Sequence, residues 1–294
     1  MILISCSTKS TDQEASDKLK VVATTGMLYD AVVNIAGDKM EAEAIIGPGV
    51  DPHLYKATQG DLVMLRNADV IIYNGILLEG KMGEILGKFG RRKPVLAAAE
   101  SIETSRLIKA EGYEDAYDPH VWFDISLWKE VVKNISNKLV EVDTANSEYF
   151  DRNSREYLRV LDTLDRYVKR RIKEIPEDQR VLITAHDAFG YFGDAYGMEV
   201  KGLQGISTVS DFGLKDIADL TDLIISRKIK AIFVETSVSD KAINAVIKGC
   251  QEKGHKVEIG GYLYSDAMGE FGTFEGTYVG MFKHNVDVIV ESLK

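Results

Sequence analysis

Proline is scarce, at 5 residues in 294, so long proline-rich disordered tracts are excluded. Cysteine is scarcer still, at 2 residues, which excludes a disulfide scaffold. No run approaches the ~18–20 apolar residues that a spanning helix needs. Dense basic runs are also missing. Lys plus Arg number 36 against 46 Asp plus Glu, for a net charge of −10, and such a chain is a poor nucleic-acid binder. Neither a His-Glu-x-x-His helix nor a Gly-x-Ser-x-Gly turn occurs, so two common hydrolase patterns are absent. What remains is 45% hydrophobic residues, enough for sizeable cores. At a prior of ~150 residues per domain, the length implies about two domains.

The two cysteines differ in context. Cys250 falls in a helical pattern and reads as a small semi-buried side chain. Cys6 ends the segment Met1-Ile2-Leu3-Ile4-Ser5-Cys6, which looks like the end of a bacterial lipoprotein signal. The polar stretch after it reads as a flexible tether, so residues 1–18 are taken as a lipobox remnant and tether. The apolar part is shorter than the ~7–15 residues of a full export signal. Two readings stay open: a start site upstream, or a frayed terminus with a chance cysteine.

Ordered patterning begins near Leu19. Apolar strands at 20–24, 40–46, 69–73 and 94–98 alternate with helical patterns at 27–36, 57–68 and 79–88. That alternation signals a parallel sheet covered by helices. Two long helical patterns follow, at 125–142 and 147–175. The second is dense in charge, lacks proline and glycine, and carries a stripe through Tyr157, Leu158, Leu161, Leu164, Val168 and Ile172. It reads as a rod between domains, because a second strand–helix series starts after it. That series has strands at 180–184, 199–203, 230–234 and 255–259, and helices at 188–196, 214–227, 240–253 and 275–293. The expected architecture is α/β, with two lobes that are each a mostly parallel sheet flanked by helices. The boundaries are 19–146 for the first lobe, 147–175 for a linker helix and 176–294 for the second. Ligands of such lobes bind outside the carboxyl ends of strands, here around a cleft.

Only 5 histidines occur, and two sit in matching pentapeptides. These are Asp51-Pro52-His53-Leu54-Tyr55 and Asp118-Pro119-His120-Val121-Trp122. Proline stiffens the turn from which each histidine is presented, which suits a side chain that must hold a ligand atom closely. Asp51 and Asp118 are placed either to accept a bond from an imidazole N–H or to cap their own turns. His186 lies at the carboxyl end of a second-lobe strand. Asp266 lies in a glycine-rich stretch, Gly260 to Gly276, that is a functional-loop candidate. Three imidazoles and one carboxylate are suitable ligands for a divalent first-row metal. His255 and His284 read as structural.

At these residues the sequence resembles the metal-binding solute-binding lipoproteins of bacterial ABC transporters for zinc and manganese, the TroA-like group. The resemblance runs from Lys20 to Lys294. It is carried by both Asp-Pro-His segments, by Thr184-Ala185-His186-Asp187-Ala188-Phe189-Gly190-Tyr191-Phe192 and by Gly205-Ile206-Ser207-Thr208. Phe233-Val234-Glu235, Tyr264-Ser265-Asp266-Ala267-Met268-Gly269 and Gly276-Thr277-Tyr278-Val279-Gly280-Met281 complete it. It implies two lobes joined by one long helix that limits hinge closure, with one metal ion in the cleft between them. The family's ligands fall on His53, His120, His186 and Asp266, and Glu235 becomes a candidate acceptor behind His186. It also implies an extracytoplasmic monomer, lipid-anchored at Cys6 in the periplasm or at the cell surface, that delivers Zn²⁺ or Mn²⁺ to a permease. The histidine-rich loop that many zinc-uptake members carry is absent, because Ser101 to Tyr117 holds no histidine. Histidine at the third ligand favours zinc on softness, while a bidentate Asp266 admits Mn²⁺. No catalytic residue is expected, since four protein ligands leave a zinc ion no open position for water. A surface adhesin remains the alternative reading, with a zinc-dependent hydrolase behind it.

Overall fold

The computed structural model describes residues 18–110, 116–209 and 212–294. Cys6 and the tether at 1–17 lie outside the described residues. In the first lobe, strands β1 (Leu19–Ala23), β2 (Met40–Ala44), β3 (Val70–Tyr73) and β4 (Val95–Ala97) form one parallel sheet in the order β2-β1-β3-β4. Val22 pairs with Glu43 on one side and Ile71 on the other, so β1 is central. The chain winds away from β1 in both directions, and the loops after β1 and β3 diverge above this switch point.

Local sequence sets the helix ends. Helix α1 (Gly26–Ala36) stops where Gly37 takes a φ of 54°. Helix α2 (Gln59–Asn67) starts at a capping box: the Asp61 amide donates to Thr58 Oγ1 at 3.2 Å, and the Thr58 amide donates to Asp61 Oδ2 at 2.6 Å. The next helix, α3 (Gly83–Phe89), begins later than its periodicity predicts from Glu79. Gly75, Ile76 and Leu77 all hold positive φ, at 82°, 51° and 62°. Glu79 folds back over this turn and accepts from the Asn74 amide at 2.7 Å and from Thr24 Oγ1 at 2.6 Å. A side chain committed to that turn is lost to the helix.

Helix α4 (Ile125–Val142) is capped by Asp124, which accepts from the Ser126 amide at 2.7 Å. Helix α5 spans Ser147–Ile172, 26 residues or about 39 Å. It ends three residues before the sequence pattern suggests. The chain tightens into i→i+3 turns at Glu174 and Ile175 as it approaches Pro176. Its buried stripe runs Phe150, Ser154, Tyr157, Leu161, Leu164, Val168 and Ile172.

The second strand series places β5 (Val181–His186) parallel to β6 (Glu199–Gln204), and β7 (Ala231–Glu235) parallel to β8 (Glu258–Leu263). β5 also packs beside β7, so His186 and Glu235 end neighbouring strands. Helices α6 (Gly190–Tyr196), α7 (Leu214–Arg227), α8 (Lys241–Glu252) and α9 (Tyr278–Leu293) complete the lobe. The last strand lies later than its expected span at 255–259. Gly254 turns at φ 78°, the His255 amide returns to Cys250 O, and the strand then runs through Gly260 and Gly261. These glycines read as loop in the sequence. Here they make room, since a Cβ on Gly260 would come 2.8 Å from the Phe233 ring.

The core does not respect the division into lobes. One cluster joins β1, α1, α4 and α5 to α6 and α9. Phe123 stacks on Phe189 at 4.4 Å, and Trp128 stacks on Tyr278 at 5.2 Å. A separate cluster around Ile183, Ile224, Ile232, Ile243 and Val246 fills the outer part of the second lobe. Among the described residues no helix is long and apolar enough to cross a membrane. Because the large core is shared, Phe282→Ala is expected to cost about 3–5 kcal/mol and to destabilise both lobes together. Tryptophan fluorescence from Trp122 and Trp128 and far-UV circular dichroism should report one common transition in urea. Two separated transitions would contradict a shared core.

Candidate metal centre

Each expected ligand is aimed by a short local device. Asp51 Oδ1 accepts from the His53 amide at 2.8 Å, closing a turn after Pro52. Asp118 Oδ1 does the same for the His120 amide at 2.8 Å, and a single 3₁₀ turn at Val121–Phe123 follows. His186 is the last residue of β5. Gly202 lets β6 lie against the next residue, because a Cβ there would sit 2.4 Å from the Asp187 amide nitrogen. Asp266 follows β8 in a segment fixed on two sides. The Tyr264 amide donates to Asn285 Oδ1 at 2.9 Å, and Trp122 Nε1 donates to Ser265 O at 3.1 Å.

These four side chains meet in the interior, and each is at most 4% exposed. His53 Nε2 lies 3.3 Å from His120 Nε2 and 3.5 Å from Asp266 Oδ2. His120 Nε2 is 3.2 Å from Asp266 Oδ1, and His186 Nε2 is 3.3 Å from Asp266 Oδ2. A tetrahedral zinc ion with bonds of ~2.0–2.1 Å sets its ligands about 3.3 Å apart. The spacing therefore fits a metal ion better than a set of hydrogen bonds. Both Asp266 oxygens and His186 Nε2 are buried without a hydrogen-bond partner, a costly state that a cation at the centre resolves.

Carboxylates behind the rings set which nitrogen faces inward. Asp118 Oδ1 is 2.6 Å from His120 Nδ1, and Glu235 Oε2 is 2.5 Å from His186 Nδ1. Glu235 Oε1 also accepts from the His186 amide at 2.9 Å. His120 Nδ1 thus faces a hydrogen-bonding carboxylate, His186 Nδ1 faces one at ion-pair distance, and both Nε2 atoms point at the centre. Asp51 takes the other of its two expected roles. It closes the His53 turn through backbone and does not reach the ring, and its Oδ2 accepts from Thr208 Oγ1 at 2.6 Å.

The electrostatics follow from these neighbours. Burial depresses His120, but Asp118 and Asp266 outweigh it and lift the ring to about 9. For His186, Glu235 and Asp266 likewise overcome burial and raise it well above its usual value. His53 has no such carboxylate behind it, and burial takes it down to about 4. Burial raises Asp266, yet His186 and His120 prevail and hold it well below the carboxylate range.

A family model described as the periplasmic zinc-uptake complex component A matches residues 21–292 of the chain. The chain belongs to this family. Over 292 residues it is 51% identical to the manganese-binding lipoprotein MntA of Bacillus subtilis, covering 99% of this chain and 95% of that one. It is 48% identical to the zinc-binding protein TroA of Treponema pallidum, covering 97% and 92%. The solved structure of that TroA superposes with a TM-score of 0.92 over 94% of this chain and 99% of the other.

Within this zinc-uptake family member, several residues shape the site in ways the sequence reading did not assign. Tyr191 Oη donates to Asp118 O at 2.9 Å and accepts from the Ile108 amide at 3.1 Å, steadying the His120 turn. Asn74 Nδ2 donates to Pro119 O at 3.1 Å. Trp122 belongs to the second pentapeptide, and its indole crosses to the Asp266 loop, while the matching Tyr55 donates to Asp61 at 2.7 Å within its own lobe. His255 and His284 stay apart from the centre. Their Nε2 atoms lie 2.8 Å from Ile229 O and 3.0 Å from Tyr262 O.

Asp118→Asn and Glu235→Gln are each expected to weaken metal binding by about 10–100-fold. Competition titration against a coloured chelator measures this. Unchanged affinity in Glu235→Gln would remove its role behind His186.

Proposed function

We propose that this chain is an extracytoplasmic solute-binding protein that captures one Zn²⁺ or Mn²⁺ through His53, His120, His186 and Asp266 and delivers it to an ABC permease. The observation that carries the reading is the buried set of three Nε2 atoms and one carboxylate at metal-ligand spacing. Membership of the zinc-uptake family supports the transport role. Relatives named as manganese- and zinc-binding proteins support both metals as cargo.

In this reading the protein divides at 19–146, 147–175 and 176–294, works as a monomer, and is held at the membrane by a lipid on Cys6. The lipoprotein relative supports that anchor. It is not an enzyme. Four protein donors fill a tetrahedral ion and leave no position for a nucleophilic water. Three imidazoles favour zinc over manganese, and both oxygens of Asp266 face the rings, which offers manganese a higher coordination number. Metal analysis of protein purified without chelators, then Zn²⁺/Mn²⁺ competition, tests the assignment, with zinc expected to bind more tightly.

Replacing any of the four ligands by alanine should sharply weaken binding. Wild-type affinity for both metals in His186→Ala would reject the four-ligand site. Binding should also be proton-linked. In the metal-free chain Asp118 and Asp266 overcome burial to lift His120 to about 9, and Glu235 and Asp266 raise His186. Loading should therefore release protons, and affinity should fall as pH falls. Calorimetry in buffers of different ionisation enthalpy counts those protons. A count near zero would contradict the arrangement.

A further inference from the structure

The lobes are joined very differently on the two sides of the metal centre. On one side the contact is deep and apolar. Phe123 and Phe189 stack at 4.4 Å, Tyr278 Oη donates to Trp122 O at 2.7 Å, and Trp122 Nε1 holds Ser265 O at 3.1 Å. Through these contacts the Asp266 loop and helix α6 are fastened to the lobe that carries His120.

On the other side a polar contact spans the cleft. Thr208, in the segment after β6, donates to Asp51 Oδ2 at 2.6 Å across 157 residues of sequence. Beside it Gly49, at φ 68°, lies close enough to the second lobe that a Cβ would be 3.6 Å from Thr236 O. Asp51 has both oxygens engaged. Oδ1 takes the His53 amide at 2.8 Å and so aims that ligand, while Oδ2 takes the second lobe. One carboxylate therefore connects the presentation of a metal ligand to the closure of the cleft.

We infer that the Asp51–Thr208 hydrogen bond is a clasp across the cleft that sets how long a bound metal ion is retained, with Thr208 as the positioning residue. The inference rests on the proposed metal site. The bond exists only when the lobes are together, so it adds to the cost of opening a loaded site. Capture by the open form does not use it. Losing the hydroxyl should therefore raise the release rate and leave association nearly unchanged. The Asp51 Oδ1 contact to the His53 turn survives the change, so the ligand set itself stays intact.

The test uses the full chain loaded with Zn²⁺, with release into excess chelator followed in a stopped-flow instrument. Thr208→Val, which keeps the shape and removes the donor, should release metal about tenfold faster or more, as expected for a hydrogen bond to a charged group. Association of Zn²⁺ should stay within about twofold of wild type. Thr208→Ser, which restores the donor, should bring release back towards the wild-type rate, which a merely structural loss would not. Equal release rates for wild type and Thr208→Val would overturn the clasp, as would a slowed association or a failure of serine to restore retention. A wild-type chain that binds no Zn²⁺ would instead reject the metal site, which keeps the two failures apart.

Discussion

A carboxylate buried where two lobes meet has to be neutralised by its surroundings, and Asp266 imposes that condition on this protein. It is shielded from water on all sides, and its oxygens face three imidazoles. Asp118 and Glu235 add two more carboxylates directly behind the rings. The acids around the rings raise His120 and His186 towards their protonated forms, so protons and a cation compete for the same buried place. This is why the acids behind the rings matter as well as the ligands.

The three histidines are not equivalent under this constraint. His120 and His186 are each fixed by a carboxylate at Nδ1, and so behave as parts of the scaffold. His53 is fixed through its backbone, by a turn that Asp51 closes. Its ring is the one that burial keeps neutral, down to about 4. His53 is therefore the histidine of the three whose ring is held neutral, on the side bridged by Asp51 and Thr208.

Much of this was legible in the residues. The alternation of apolar strands with helices gave the parallel sheets. The paired Asp-Pro-His segments pointed to His53 and His120, and the strand-end position pointed to His186. The misreadings have physical causes. Glu79 fits a helical pattern, but it is spent on a strained turn of three positive φ angles. Gly260 and Gly261 read as loop and form a strand, because they yield space to Phe233 and Val288. Tyr191 and Thr208 stand in segments that carried the resemblance and Asn74 does not, but the roles of all three were hidden, since each acts through hydrogen bonds to a backbone or carboxylate far away in the chain.

The shared core has a consequence for how the chain comes into being. Helix α9 is the last element among the described residues, yet Tyr278 stacks on Trp128 and the Phe282 ring packs at a tilt against Phe123 of the first lobe. The segment around Trp122 and Trp128 therefore carries an apolar face whose cover is encoded 156 residues further along the chain, counted from Trp122 to Tyr278. During synthesis that face stays uncovered until α9 has been made. The order of translation and the order of assembly cannot coincide here: α4 is made long before the helix that covers it.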